Sequence, residues 1–493
     1  MPNRISKLIY VFLSLSALLS VLAALGMLIK FPFGLLEPDS YGYLQLLYGI
    51  VKQRSVYGVS GRVLGYPIFL VISSLGQNLT YTVIIQYILF FLSAFLIYKI
   101  SYLLTESKLF SGLIATLNLY NLQYFKYCHY ILTESPSTFL TTLIAFILVL
   151  LYKEEKARNY LYLSLSIGIA ILFRPGHQIL ILILMAAATR LTYFWLKNRI
   201  SSRDLCSNLS FLIAPAALLI LSQMTYVYFD CHEFGLTSSE WGARVIFVTG
   251  GDLVDTNTEP YRDVKQAIKG NLELFHSPDF PYIINIYGVP YRNVDYLIWF
   301  QDGPLPIIQK MYPDRKWTEV IRVLGIDGIK NKPSVFLSRG ISYAWHLLRF
   351  LQFSFMDGER LRHLYYTDHT KDIIAPDDGF GGKGFYSRYT ETDISQSDSK
   401  ISRLILRIYL HVCSWLRFFY FYIAYFLFLA ILAIKWRCNI FIFMVYLLPV
   451  LIAIPAAFTV GLVIRYTTYY TPIQITLGGI FYLEACRMLI QKQ

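Results

Sequence analysis

Cysteine pairs, histidine pairs and charge are what this sequence lacks. Its six cysteines (Cys128, Cys206, Cys231, Cys413, Cys438, Cys486) form no CxxC and no metal-ligand spacing, which argues against a disulfide framework or a zinc module. Its eight histidines include no HxxxH or HExxH, so metal catalysis has no positive sign. Charged residues are only 15% of 493 positions, and Ser14 to Ile29 carries none. A soluble domain of this size needs more polar surface, so the bilayer is the expected solvent. No fixed-period repeat or low-complexity tract occurs.

What the sequence has instead is apolar and aromatic: 56% hydrophobic and 17% aromatic residues, the latter suited to membrane interfaces. The net charge of +13 is unevenly spread. Asp230 to Lys400 holds 23 acidic and 19 basic residues, and the rest of the chain 8 and 25. A basic excess beside apolar segments orients a membrane protein, and no nucleic-acid partner is needed to explain it. Arg4 and Lys7 precede an apolar stretch to about Met27 that is long enough to span and lacks a small-residue cleavage site, so it reads as a retained signal anchor.

The expected architecture is an all-α polytopic membrane protein of about ten spans. They fall near 9–29, 80–104, 109–125, 135–152, 160–173, 176–196, 208–229, 416–434, 438–462 and 467–485. This divides the chain into a transmembrane module over 1–229 with its first outward loop at 30–79, an outward loop region with interfacial helices over 230–415, and C-terminal spans over 416–493. Both termini are expected in the cytoplasm. Arg339, His346 and Arg349 interrupt an amphipathic stretch from Ser334 to Phe355, which favours a helix lying on the membrane. Lys400, Arg403, Arg407 and His411 recur at helical spacing as a basic interfacial stripe. The run Asp378-Gly379-Phe380-Gly381-Gly382-Lys383-Gly384 lacks the Ser or Thr of a phosphate loop and reads as a surface loop. Asn78 and Asn208 fit the glycosylation acceptor pattern but touch expected spans.

Six charged residues near the outer boundary are the candidates for chemistry. Glu37 and Asp39 head a short helix whose apolar face is Tyr43, Leu44, Leu47, Tyr48 and Val51. Helix capping by Asp39 or Ser40 explains them structurally. A desolvated carboxylate beside a second one also suits a general base. Glu134 precedes Ser135 and Pro136, a full set of helix-start signals, yet lies at a depth where it would face the same cavity. Arg62, Arg174 and Arg465 either snorkel to headgroups or converge on a phosphate, which guanidinium grips as a bidentate fork.

Several stretches, in order, resemble the GT-C superfamily of polytopic glycosyltransferases, which includes protein O-mannosyltransferases and the lipid A aminoarabinose transferase. They are Glu37-Pro38-Asp39-Ser40-Tyr41-Gly42-Tyr43, Gly65-Tyr66-Pro67-Ile68-Phe69-Leu70 leading to Gln86, Tyr130-Ile131-Leu132-Thr133-Glu134, and Leu172-Phe173-Arg174-Pro175. The resemblance covers about the first 200 residues. It implies a GT-C-type helical bundle, a catalytic carboxylate at Asp39 with Glu37 beside it, and a polyprenyl-phosphate sugar as donor. The acceptor would be a glycan, lipid or protein, in cell-envelope glycan, glycolipid or O-antigen modification at the periplasmic face of a bacterial inner membrane. Asp39 is then expected as base, with Glu37 or Glu134 orienting, and Arg62, Arg174 and Arg465 on the donor phosphate. No cofactor is required, and a divalent metal stays open. The rival reading is a membrane transporter or lipid flippase.

Overall fold

The structure is a computed structural model that describes residues 2–30, 34–35, 38–53, 62–75, 78–286, 289–292, 294–314, 316–349, 404–406, 408–409, 412, 425, 440–459 and 471–490. Glu37, Arg465, the glycine-rich run at 378–384 and the basic stripe of Lys400, Arg403, Arg407 and His411 lie outside the described residues. The chain forms two compact units. The first comprises Met1–Gln223, Arg349–Ile452 and Arg465–Gln493, and the second Met224–Leu348 and Ala453–Ile464.

The first unit begins with α1 (Pro2–Lys30), α2 (Pro38–Tyr48), α3 (Gly65–Ser73) and α4 (Leu79–Thr105). Asn78 caps α4, its side chain accepting from Thr80 N at 2.8 Å, which uses one of the first-turn donors that the helix cannot satisfy itself. That is a structural role for the residue singled out as a glycosylation acceptor. Next come α5 (Lys108–Leu119), α6 (Leu122–Tyr127), α7 (Glu134–Lys153), α8 (Ala157–Phe173), α9 (Ile181–Leu196) and α10 (Ser202–Cys231). In α7 the buried hydroxyls of Thr138, Thr141 and Thr142 donate to the carbonyls one turn back at 2.7–2.9 Å, so these three polar side chains sit in an apolar bundle with their donors satisfied. α4 packs on α5 and α7, and α7 on α8. Pro215 leaves a gap in the α10 ladder. Nearby, Ala216 N donates to Ser164 Oγ on α8 at 3.0 Å.

Five helices among the described residues are long and apolar enough to cross a membrane: Val11–Ile29, Leu79–Thr105, Glu134–Lys153, Pro175–Leu196 and Ser202–Cys231. They match five of the expected spans. The expected span 109–125 is interrupted, because Asn121 leaves the helical conformation and its side chain accepts from Tyr124 N at 3.2 Å, starting α6 afresh. The 12 residues of α5 reach about 18 Å, short of a hydrocarbon core of about 30 Å. The expected span 160–173 falls on α8, a 17-residue helix, and 416–434 lies largely outside the described residues.

The second unit has a hydrophobic core of its own. Its elements are α11 (Ser239–Gly250), α12 (Arg262–Ala267), α13 (Lys269–His276), an antiparallel hairpin of β1 (Ile283–Ile286) and β2 (Val289–Arg292), α14 (Pro304–Met311), α15 (Lys316–Asn331) and α16 (Pro333–Arg349). Phe247, Val264, Phe275, Tyr296, Ile308 and Leu324 are buried together. α11 and α15 approach backbone to backbone: a Cβ on Gly328 would lie 1.9 Å from the Gly250 carbonyl oxygen, and one on Gly325 2.5 Å from that of Ile246. Buried Lys265 donates to Asp327 at 2.7 Å and to the hydroxyl and carbonyl of Thr258 at 3.0 Å. Arg339, one of the charges of the amphipathic stretch, turns inward: its Nη1 meets Asp252 Oδ2 at 2.7 Å, so this charge faces a carboxylate of its own unit. Among the described residues two further helices follow, α17 (Ile440–Thr459) and α18 (Thr471–Ile490), which overlap the expected spans 438–462 and 467–485.

Candidate functional site

Two segments that precede the candidate carboxylates are laid side by side. Leu35 N donates to His129 O at 2.8 Å and Ile131 N to Leu35 O at 2.9 Å, an isolated parallel bridge between Leu35 and Tyr130. Gly34 permits it, since a Cβ there would sit 2.2 Å from Ile131 Cδ1. The bridge brings the starts of α2 and α7 together, and with them Asp39 and Glu134.

Each carboxylate meets one of the arginines. Arg62 Nη2 lies 2.9 Å from Asp39 Oδ1, and Arg174 Nη1 lies 3.2 Å from Glu134 Oε1 and 3.2 Å from Thr133 Oγ1. Tyr43 stands where the two pairs come close. It accepts from Arg62 Nη1 at 3.5 Å, its ring lies 4.8 Å from the Arg62 guanidinium, and all four charges act on its hydroxyl. Burial pushes that hydroxyl above the usual tyrosine range, with Arg62 as the largest opposing influence, so Tyr43 stays neutral and able to donate. From sequence Tyr43 was only one position on an apolar face.

The surroundings fix these groups. Tyr66 packs edge-on against Tyr43 at 4.9 Å. Gln86 donates to Cys128 O and Tyr130 O, both at 3.0 Å, tying α4 to the segment before Glu134. Gly65 abuts the backbone at the end of α8, where a Cβ would lie 2.4 Å from Leu172 O, and Arg174 follows directly. The stretches 38–43, 65–70, 130–134 and 172–175 thus supply one constellation, within the first unit.

Contacts add to the capping explanation and, for Arg62 and Arg174, stand in place of snorkelling. α2 begins at Pro38, which puts Asp39 inside its first turn, where the helix dipole still favours a negative charge. Ser135 does not cap α7: its hydroxyl donates to Gln86 O at 3.3 Å. Arg62 and Arg174 turn toward carboxylates within the protein instead of leaving for headgroups. Accessibility separates the two acids, since the side chain of Asp39 is 33% exposed and that of Glu134 1%. Asp39 is accessible from outside the protein, whereas Glu134 is enclosed with Arg174 and Thr133 beside it.

Among the described residues no three His, Cys, Asp or Glu side chains gather as a metal site. A pocket of about 610 Å³ lined by Glu106, Lys153, Glu154 and Arg158 lies at the opposite ends of α4 and α7 from Gln86 and Glu134. The fold makes this chain a helical membrane protein. A scan against protein-family models finds no match, and a search of curated proteins finds no relative.

Proposed function

We propose that this protein is a glycosyltransferase that moves a sugar from a polyprenyl-phosphate donor to an acceptor hydroxyl at the outer face of a bacterial inner membrane. The observation that carries the reading is the meeting of an accessible carboxylate, Asp39, with two arginines around Tyr43, built from the four stretches that resemble the GT-C superfamily. Asp39 takes the proton of the acceptor hydroxyl, the acceptor oxygen bonds to the anomeric carbon, and the carbon–oxygen bond to phosphate breaks with the electron pair leaving on the lipid phosphate. The linkage inverts. Arg62 and Arg174 stabilise the charge that gathers on the leaving phosphate, Glu134 positions Arg174, and Tyr43 orients Arg62. A phosphate is already a good leaving group, so a base and a cationic hole suffice for the step.

The test is release of polyprenyl phosphate from its sugar conjugate by purified protein in detergent, with Asp39→Asn as control. Release by the wild type that is lost in Asp39→Asn supports the proposal; equal release by both, or none by either with a panel of sugar donors and acceptors, overturns it. A transporter or flippase would leave the donor intact in detergent and act only across a sealed membrane.

A further inference from the structure

α16 has two unlike faces. Ala344, Leu347 and Leu348 are buried in the second unit, and Arg339 reaches Asp252. The other face carries Leu337, Ile341 and Trp345, which are 50%, 62% and 49% exposed and recur every fourth residue on one side of the helix. Exposed Ser334, Ser338 and Ser342 interleave with them. Over three turns this face bears no charge, while exposed Lys330 and Lys332 stand at its N-terminal edge.

We propose that this face of α16 lies in the interface of a phospholipid bilayer, with Leu337, Ile341 and Trp345 among the upper acyl chains and the two lysines among headgroup phosphates. Three observations select lipid as the occupant. The second unit contains the last turns of α10, Met224–Cys231, and of α17, Ala453–Thr459, two apolar helices, so a bilayer is at hand. An aliphatic face with tryptophan and serine, edged by lysine, matches the chemistry of the headgroup boundary. Arg339 is committed to Asp252, so from Ser334 to Trp345 no charge stands on this face to oppose insertion. A helix so placed buries its apolar side about 5–10 Å below the headgroups.

The experiment places the full-length protein in lipid nanodiscs whose acyl chains are brominated either near the headgroup or near the chain end, and reads Trp345 emission as wild type minus Trp345→Phe. The expected result is a loss of about half the Trp345 signal with shallow bromine and a smaller loss with deep bromine, as an interfacial helix requires. Ile341→Asp should relieve the shallow quenching while far-ultraviolet circular dichroism stays unchanged. Absence of quenching at both depths would mean that another part of the chain or a second copy covers the face, and would overturn the proposal. Stronger quenching by deep bromine would overturn it too, since α16 would then cross the membrane.

Discussion

Arg62 and Asp39 are 23 residues apart in the chain, and their side chains meet with Nη2 2.9 Å from Oδ1. In this state the guanidinium that would grip a donor phosphate is engaged by the carboxylate that would take the acceptor proton. On the proposed mechanism a bound phosphate would compete with Asp39 for Arg62, and its arrival would free the carboxylate for the acceptor.

That competition gives a counterintuitive expectation for Asp39→Asn. Transfer should be lost, yet the affinity for polyprenyl monophosphate without sugar should rise by roughly fivefold, the factor that corresponds to about 1 kcal/mol for a partly exposed ion pair. Arg62→Gln should weaken the same binding. Calorimetry in detergent micelles measures both. Weaker binding in Asp39→Asn would mean that Arg62 and Asp39 do not trade partners on the phosphate.

Glu134 and Arg174 make a different kind of pair, because the carboxylate is almost wholly buried. Arg174→Met leaves that charge without its guanidinium, and the expected loss of stability is about 3–5 kcal/mol. The double variant Glu134→Gln/Arg174→Met should recover a large part of it, since neither charge then remains. Thermal unfolding of the four proteins in one detergent closes the cycle. Additive losses would show that the two residues do not act as a pair.

How much of this was legible in the sequence follows from chain distance. Helix starts were local signals, so α4 and α7 begin within a residue of their expected positions, and Asp39, Glu134, Arg62 and Arg174 each stood out as a charge at the edge of an apolar run. Their pairing was not visible, because it spans 23 and 40 residues and depends on the Leu35–Tyr130 bridge and the close approach at Gly65. Tyr43 was hidden for the same reason. Asn121 resembled any polar residue in an apolar stretch until its capping contact showed a helix start. The second unit was obscured by short helices with frequent charges, whose apolar positions form a core only once α11 and α15 cross.

Two glycines of the first unit separate an effect on the site from an effect on the fold. A Cβ on Gly42 would lie 2.9 Å from Arg62 Nε, a flexible group that can move aside, so Gly42→Ala should shift Arg62 from Asp39 and lower activity about tenfold. Its stability should hold or rise by up to about 1 kcal/mol, as for Ala replacing Gly within a helix. A Cβ on Gly65 would meet backbone at Leu172, which cannot turn away, and Gly65→Ala should cost about 1–3 kcal/mol. Activity and melting temperature, measured side by side, check the contrast; a Gly42→Ala protein with full activity would remove Arg62 from the mechanism.

The same reasoning in the second unit singles out Gly328, where a Cβ would be 1.9 Å from the Gly250 carbonyl oxygen. The obstacle is backbone on the facing helix, so α11 and α15 would have to separate and loosen the core around Phe247 and Leu324. Gly328→Ala should therefore destabilise the unit by about 1–3 kcal/mol or more, read as faster proteolysis between residues 224 and 348. Gly270, in α13, has no heavy atom within 4 Å of an added Cβ, and Gly270→Ala should instead leave that region as resistant as the wild type or gain up to about 1 kcal/mol. Equal protease sensitivity of the two variants would mean that the α11–α15 crossing does not hold the unit together.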